Sequence, residues 1–161
     1  MNVRMMSDSK PNSRPGPDYH ETPVFHLTPG FLSILCVFDN LILLDRICHG
    51  LEGKGNIFVE VAMTIEDALS LIRYINFDLI VCETLSGRID SIRFLRSARD
   101  AGILTPFIVY SDRLEVEDEK ISLAYSPVYF LRHGPTTLSE IDHLHSLIMQ
   151  ISSRDGRHSP A

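Results

Sequence analysis

The chain has 161 residues, with 15 lysines and arginines against 21 aspartates and glutamates and a formal charge of −6. Hydrophobic residues make up 44% and charged residues 22%, near globular averages, which excludes a wholly disordered chain, a collagen-like fibre and a coiled-coil rod. No apolar run approaches the ~20 residues of a membrane span, and no apolar block follows Arg4 and Lys10 before Pro11 to form a secretory signal. The acidic balance, with no basic stripe to reverse it locally, argues against nucleic acid as a partner. We therefore expect a cytoplasmic protein that meets neither nucleic acid nor membrane. Cys36, Cys48 and Cys82 are odd in number and lack CxxC spacing, so they read as small apolar residues in a reducing compartment.

Five of the nine prolines (Pro11, Pro15, Pro17, Pro23 and Pro29) fall in the first 29 residues, mixed with Ser, Asn, Asp and Gly. Residues 1–30 are expected to be a flexible tail, and no PxxP pattern with a neighbouring Arg makes them a convincing docking peptide. Phe31–Val37 reads as a strand. Asn40–Leu51 places Leu41, Leu44, Ile47, Cys48 and Leu51 on one helical face and stops at Gly53 and Gly55. Ile57–Ala62 alternates as a strand, and Thr64 is placed to cap the helix carrying Ala68, Leu71, Ile72 and Ile75. Asp78–Cys82 is a buried-type strand. Ile89–Arg99 is a helix with Ile92, Phe94 and Leu95 inward and Arg93, Arg96 and Arg99 outward. Pro106–Tyr110 is a strand, Leu114–Tyr125 an acidic helix, Val128–Leu131 a strand, and Thr136–Ile151 a closing helix. Residues 152–161 are expected to be a second flexible tail, leaving 31–151 as the folded domain.

Strict alternation with continuously apolar strands calls for a parallel sheet covered on both faces. The fold class expected is α/β, a doubly wound five-stranded parallel sheet of flavodoxin-like order 2-1-3-4-5. The ligand crevice of such sheets lies beyond the carboxyl ends of the strands. That edge carries Phe38, Asp39 and Asn40, then Glu83, Thr84 and Leu85, then Ser111, then His133.

Over residues 31–151 the chain resembles the receiver domain of two-component response regulators. The most specific stretch runs from Phe77-Asp-Leu-Ile-Val-Cys-Glu-Thr through Phe94-Leu-Arg-Ser-Ala-Arg99 and follows the family's "DLIxxDxxMPxMDGxxFLxxxR" without a gap. Pro106-Phe-Ile-Val-Tyr-Ser111 resembles the fourth strand with its hydroxyl residue, and Tyr129-Phe-Leu-Arg-His-Gly134 the fifth. The resemblance implies phosphorelay signalling, with a phosphoryl group passing from a histidine kinase to an aspartate at the end of the third strand, helped by Mg²⁺. It also implies Ser111 and Phe130 as switch positions.

The departures from the family pattern are chemical. The phosphoacceptor position holds Glu83, the acidic pair after the first strand is reduced to Asp39 behind Phe38, and His133 replaces the lysine. Glu83 moves its oxygens by ~1.5 Å, and ~1 Å of misplacement can cost ~100-fold in rate. Phe38 is expected to fill space a hydrated metal would use, so Mg²⁺ binding is weakened and no cofactor or metal ligand set is assigned. Neutral, shorter His133 is a poorer phosphoryl partner than lysine. The chain thus reads as a pseudo-receiver that is not itself an enzyme and meets a signalling protein such as a histidine kinase or effector. The alternative is a phosphorylatable single-domain response regulator.

Glu83 has two readings: an imitation of phosphoaspartate reaching toward Ser111 and His133, or an acid retained at a solvated rim. Ser111 is as readily a helix N-cap as a switch, and Phe130 as readily ordinary packing. A redox pair of Cys36 and Cys82 is weighed against simple burial. A flavodoxin-like enzyme or nucleotide binder ranks lower, because no Gly-rich loop follows the first strand. The resemblance also implies a contact surface on the fourth helix, fifth strand and fifth helix, which here carries Glu115, Glu117, Asp118 and Glu119 beside Arg132, His143 and His145.

Overall fold

The computed structural model describes residues 30–84, 87–113, 116–134 and 137–155, with the side chains of 116–118 and 137–138 outside the description. The expected first tail, apart from Gly30, and residues 156–161 of the second therefore lie outside the described residues, as do Leu85, Glu115 and the side chains of Glu117 and Asp118. The elements are β1 (Leu32–Val37), α1 (Leu41–Glu52), β2 (Ile57–Ala62), α2 (Ile65–Tyr74), β3 (Leu79–Glu83), α3 (Ser91–Asp100), β4 (Phe107–Ser111), α4 (Val116–Ala124), β5 (Val128–Arg132) and α5 (Thr137–Arg154). The strands form one parallel sheet in the order β2-β1-β3-β4-β5. The doubly wound architecture expected from the alternation is what the chain forms.

Side chains alternate across each strand, so the three central strands feed two cores. On one face Leu35, Val37, Ile80, Cys82, Phe107 and Val109 meet α2 and α3. On the other, Ile34, Cys36, Val81, Ile108 and Tyr110 meet α1 and α5. Cys36 and Cys82 therefore point to opposite sides of the sheet, and the redox pair weighed from strand adjacency does not exist. Burial is the reading that holds for both thiols.

Helix starts follow local chemistry. Asn40 Oδ1 accepts from the amides of Ile42 and Leu43, each at 3.1 Å, and Thr64 Oγ1 accepts from Asp67 N at 3.1 Å, satisfying donors that a first turn leaves open. Asp90 does the same for α3 through Arg93 N at 3.0 Å. α5 continues past Ile151 to Arg154, three residues beyond the expected boundary. Ile151 and Ser152 are buried, and the Ser152 and Ser153 hydroxyls donate to the Ile148 and Met149 carbonyls, each at 2.8 Å. Those local bonds keep serines helical where their composition suggested a tail.

Arg99 also departs from its expected outward position. Its Nε donates to the Tyr125 carbonyl at 2.8 Å, Nη1 to Ile103 at 2.7 Å and Nη2 to Pro127 at 3.1 Å. One guanidinium thus ties the α3–β4 and α4–β5 connections together, using the planar donor fork that lysine lacks. Charge-assisted bonds of this kind are individually substantial. Arg99→Ala is expected to lower unfolding stability by about 2 kcal/mol, with Arg99→Lys recovering only part; an unchanged denaturation midpoint for Arg99→Ala would contradict the clamp.

Burial, with smaller contributions from neighbouring acids and thiols, pushes the Cys36 and Cys82 thiols well up, and burial followed by Glu140 pushes the Tyr110 phenol up. Each group holds its proton longer folded than unfolded, so this stability is complete below the unfolded values and is lost as pH climbs toward the folded ones. Denaturation in reducing buffer should show stability falling once pH passes ~9, at up to about 1.4 kcal/mol per pH unit for each thiol. A Cys36→Ala/Cys82→Ala variant should flatten that slope, and a profile unchanged by the double substitution would contradict the assignment.

Candidate functional site

The carboxyl ends of β1, β3, β4 and β5 lie side by side along one edge, and short hydrogen bonds stitch them. Asp39 N donates to Glu83 Oε1 at 3.2 Å, Thr84 N to the Tyr110 carbonyl at 3.0 Å, and His133 N to the Ser111 carbonyl at 2.8 Å. The residues singled out in the sequence, Asp39, Glu83, Ser111 and His133, are therefore brought to one rim although they span nearly a hundred positions.

Their individual settings differ from expectation. Glu83 has no solvent exposure. It is not an acid held at a solvated rim; its longer side chain turns toward β1 and takes the Asp39 amide, which is how a buried carboxylate avoids the cost of desolvation. Asp39 keeps 13% side-chain exposure, and its Oδ2 lies 3.9 Å from Nε of the highly exposed Arg88, a weak pairing in solvent. Phe38 is fully buried with its ring centroid 6.1 Å from that of Tyr110, in the core beneath α1 and α5. The expectation that it fills metal space at the rim is corrected: strand alternation carries the ring into the core instead.

Ser111 is buried, and its hydroxyl accepts from Arg113 N at 3.1 Å and also donates to the Arg113 carbonyl. It closes a turn at the strand end, the local bond that a serine at such a position readily makes. Phe130 is partly buried and packs into the core shared with α2 and α3, on the sheet face that alternation also gives to Ser111.

His133 is the least expected of the set. Its Nδ1 lies 2.7 Å from Glu140 Oε1 and 2.8 Å from the Tyr110 hydroxyl. The imidazole stands edge-on to the Tyr110 ring, 5.5 Å between centroids at 88°. The Glu140 side chain is 6% exposed and Tyr110 is 1% exposed, while the His133 side chain keeps 36%. Burial and then Glu140, which also hydrogen-bonds the phenol, raise the Tyr110 pKa. Tyr110 and Glu140 were missed in the sequence. A tyrosine in a strand read as fully buried was the available signal, because its hydroxyl needs a partner when buried.

Mg²⁺ prefers octahedral oxygen ligation with one or two protein carboxylates and several waters. Here one Glu83 oxygen is engaged by a backbone amide, Asp90 caps α3, and no group of three or more His, Cys, Asp or Glu side chains among the described residues could hold a metal.

No protein-family model matches the chain, and no curated protein matches it. Solved structures do. The chain is similar to the receiver domain of the Francisella response regulator 1452, with 24% identity, a TM-score of 0.61, and coverage of 77% of this chain and 98% of that one. It is similar to a two-component response regulator from Clostridium difficile, with 19% identity, a TM-score of 0.66, and coverage of 77% and 98%. The Vibrio cholerae chemotaxis protein CheY4 is matched at 18% identity and a TM-score of 0.65, over 75% of this chain and 98% of that one. The fold is that of response-regulator receiver domains.

Removing the imidazole strands a buried carboxylate. His133→Ala is expected to lower stability by about 1–3 kcal/mol, and adding Glu140→Met should restore much of it. Equal midpoints for His133→Ala and the unaltered protein, measured by urea denaturation, would count against the contact.

Proposed function

We propose that the chain is a receiver-like signalling module of the two-component type, degenerate at its phosphoacceptor position, that works through protein–protein contact. The observation that carries the reading is the state of Glu83: a fully buried carboxylate with an oxygen already committed to the Asp39 amide. Acyl-phosphate chemistry needs a carboxylate aimed at an incoming phosphorus, with cations or donors around the phosphoryl oxygens. The group at the lysine position, His133, faces Tyr110 and Glu140, and Asp39 is the one acid left beside Glu83 from the family's pair. Internal partners thus take up the groups that phosphotransfer would require.

The partner is a signalling protein such as a histidine kinase or an effector, and no helix among the described residues is long and apolar enough to cross a membrane. The contact surface is α4, β5 and α5, where Glu119, Arg132 and His143 are exposed. Glu83→Gln keeps the side chain's shape and removes its charge, so a change in affinity for a captured partner would mark Glu83 as a standing imitation of phosphoaspartate. An unchanged affinity would mark it as structural.

The decisive experiment is incubation of the full chain with acetyl phosphate and Mg²⁺, read by intact mass. The expected result is no persistent phosphoryl adduct. An adduct located on Glu83 or Asp39 would overturn the pseudo-receiver reading in favour of a phosphorylatable single-domain response regulator.

A further inference from the structure

His133 gives internal partners only one of its two ring nitrogens. Nδ1 lies 2.7 Å from Glu140 Oε1 and 2.8 Å from the Tyr110 hydroxyl. The phenol's own proton goes to Glu140, which hydrogen-bonds it. An ionised carboxylate can only accept, so the nitrogen beside it carries the ring proton and the lone pair falls on Nε2. Nε2 has no hydrogen-bond partner among the described residues, and it is not among the buried side-chain atoms left without one. With Nδ1 held against two buried groups and 36% of the side chain exposed, Nε2 is the nitrogen that meets solvent.

This pairing makes a nucleophile. A carboxylate at one imidazole nitrogen fixes the tautomer, orients the ring and raises the basicity of the other nitrogen. Histidine itself forms covalent intermediates when its lone pair is presented in this way. Glu140 sits in the first turn of α5 with its side chain 6% exposed, so its charge acts on the ring with little screening by water. The chain holds its own control. His49 Nδ1 lies 3.2 Å from Asp45 Oδ1, but those side chains are 79% and 72% exposed, and solvent weakens the pair.

We propose that His133 Nε2 is a phosphoryl-acceptor site for donors of the phosphoramidate class, with Glu140 and Tyr110 as positioning residues. The Nε2 lone pair forms the new N–P bond as the P–N bond of the donor breaks and the donor nitrogen leaves as ammonia. The Nδ1 proton stays between imidazole and carboxylate, and the negative charge of Glu140 balances the positive charge that attack places on the ring. The phosphoryl group then adds its charge to the end of β5, beside α5. The site does not depend on whether Glu83 accepts a phosphoryl group.

The test incubates the full chain with potassium phosphoramidate in the absence of Mg²⁺, locating adducts by peptide mapping at alkaline pH and by ³¹P NMR. Hydroxylamine cleaves an acyl phosphate on Glu83 or Asp39 and spares a phosphohistidine, so the two kinds of site are read separately. The expected adduct is on His133 Nε2, survives hydroxylamine, is lost in acid and forms several-fold faster than adducts on His49 or His143. Glu140→Gln keeps the side chain's shape and removes the charge that holds the proton on Nδ1. In that variant labelling of His133 should slow several-fold, a second ³¹P resonance from the Nδ1 isomer should appear, and the rate at His143 should stay unchanged. Labelling of His133 no faster than that of His49 overturns the proposal, as does an adduct on Nδ1 of the unaltered protein. A Glu140→Gln protein that labels at the original rate with a single isomer overturns it as well.

Discussion

A carboxylate shut away from solvent must be met by hydrogen-bond donors, and the arrangement of the carboxyl edge follows from that requirement. Glu83 ends the central strand β3 with no exposure, and the donor it finds is the backbone amide of Asp39 across the strand pair. The extra methylene that distinguishes glutamate from aspartate is what allows a side chain rooted on β3 to meet the turn after β1. The bond fixes the turn that leads into α1, whose first amides are then taken by Asn40. Glu140 is buried at the other end of the rim, where its Oε1 lies 2.7 Å from His133 Nδ1, the nitrogen that also lies 2.8 Å from the Tyr110 hydroxyl.

The sheet's alternation decides which rim residues can act together. Phe38 and Tyr110 fall into the core beneath α1 and α5, and the Tyr110 hydroxyl is thereby presented to α5 and to His133. Phe130 faces the other core, among residues of α2 and α3. A change at His133 would be felt by α5, whereas a change at Phe130 would be felt through the α3 side. Arg99 ties that side together by gathering three carbonyls from two connections, so the segments leading into β4 and β5 share one anchor.

The architecture was legible because its causes are local. Continuous apolar strands, the Thr64 cap and the helical spacing of Leu44, Ile47 and Leu51 each follow from neighbours in sequence, and together they dictated a parallel sheet in the observed order. The convergence of Asp39, Glu83, Ser111 and His133 on one edge followed from topology. What escaped were contacts between residues far apart or reaching against the local trend. The spacing of Arg93, Arg96 and Arg99 gave all three one outward face, yet unpaired carbonyls within reach bend Arg99 back. Tyr110 and Glu140 lie thirty positions apart, and nothing in either segment announces the other. The direction of the Phe38 ring depended on where strand alternation ends and the turn begins, a matter of one residue. The helical state of Ser152 and Ser153 depended on bonds to carbonyls one turn back that composition does not reveal.

The two edges of the sheet thus differ: buried acids gather at the carboxyl edge, and an open cavity lies between the α2–β3 and α3–β4 connections at the amino edge. The account rests most heavily on the bond between Glu83 and the Asp39 amide. Residue-resolved hydrogen exchange by NMR reads it directly. The Asp39 amide is expected to exchange as slowly as interior strand amides and to lose that protection in Glu83→Ala while the β1 amides before it keep theirs. Exchange of the Asp39 amide at the rate of an exposed loop in the unaltered protein would contradict the account.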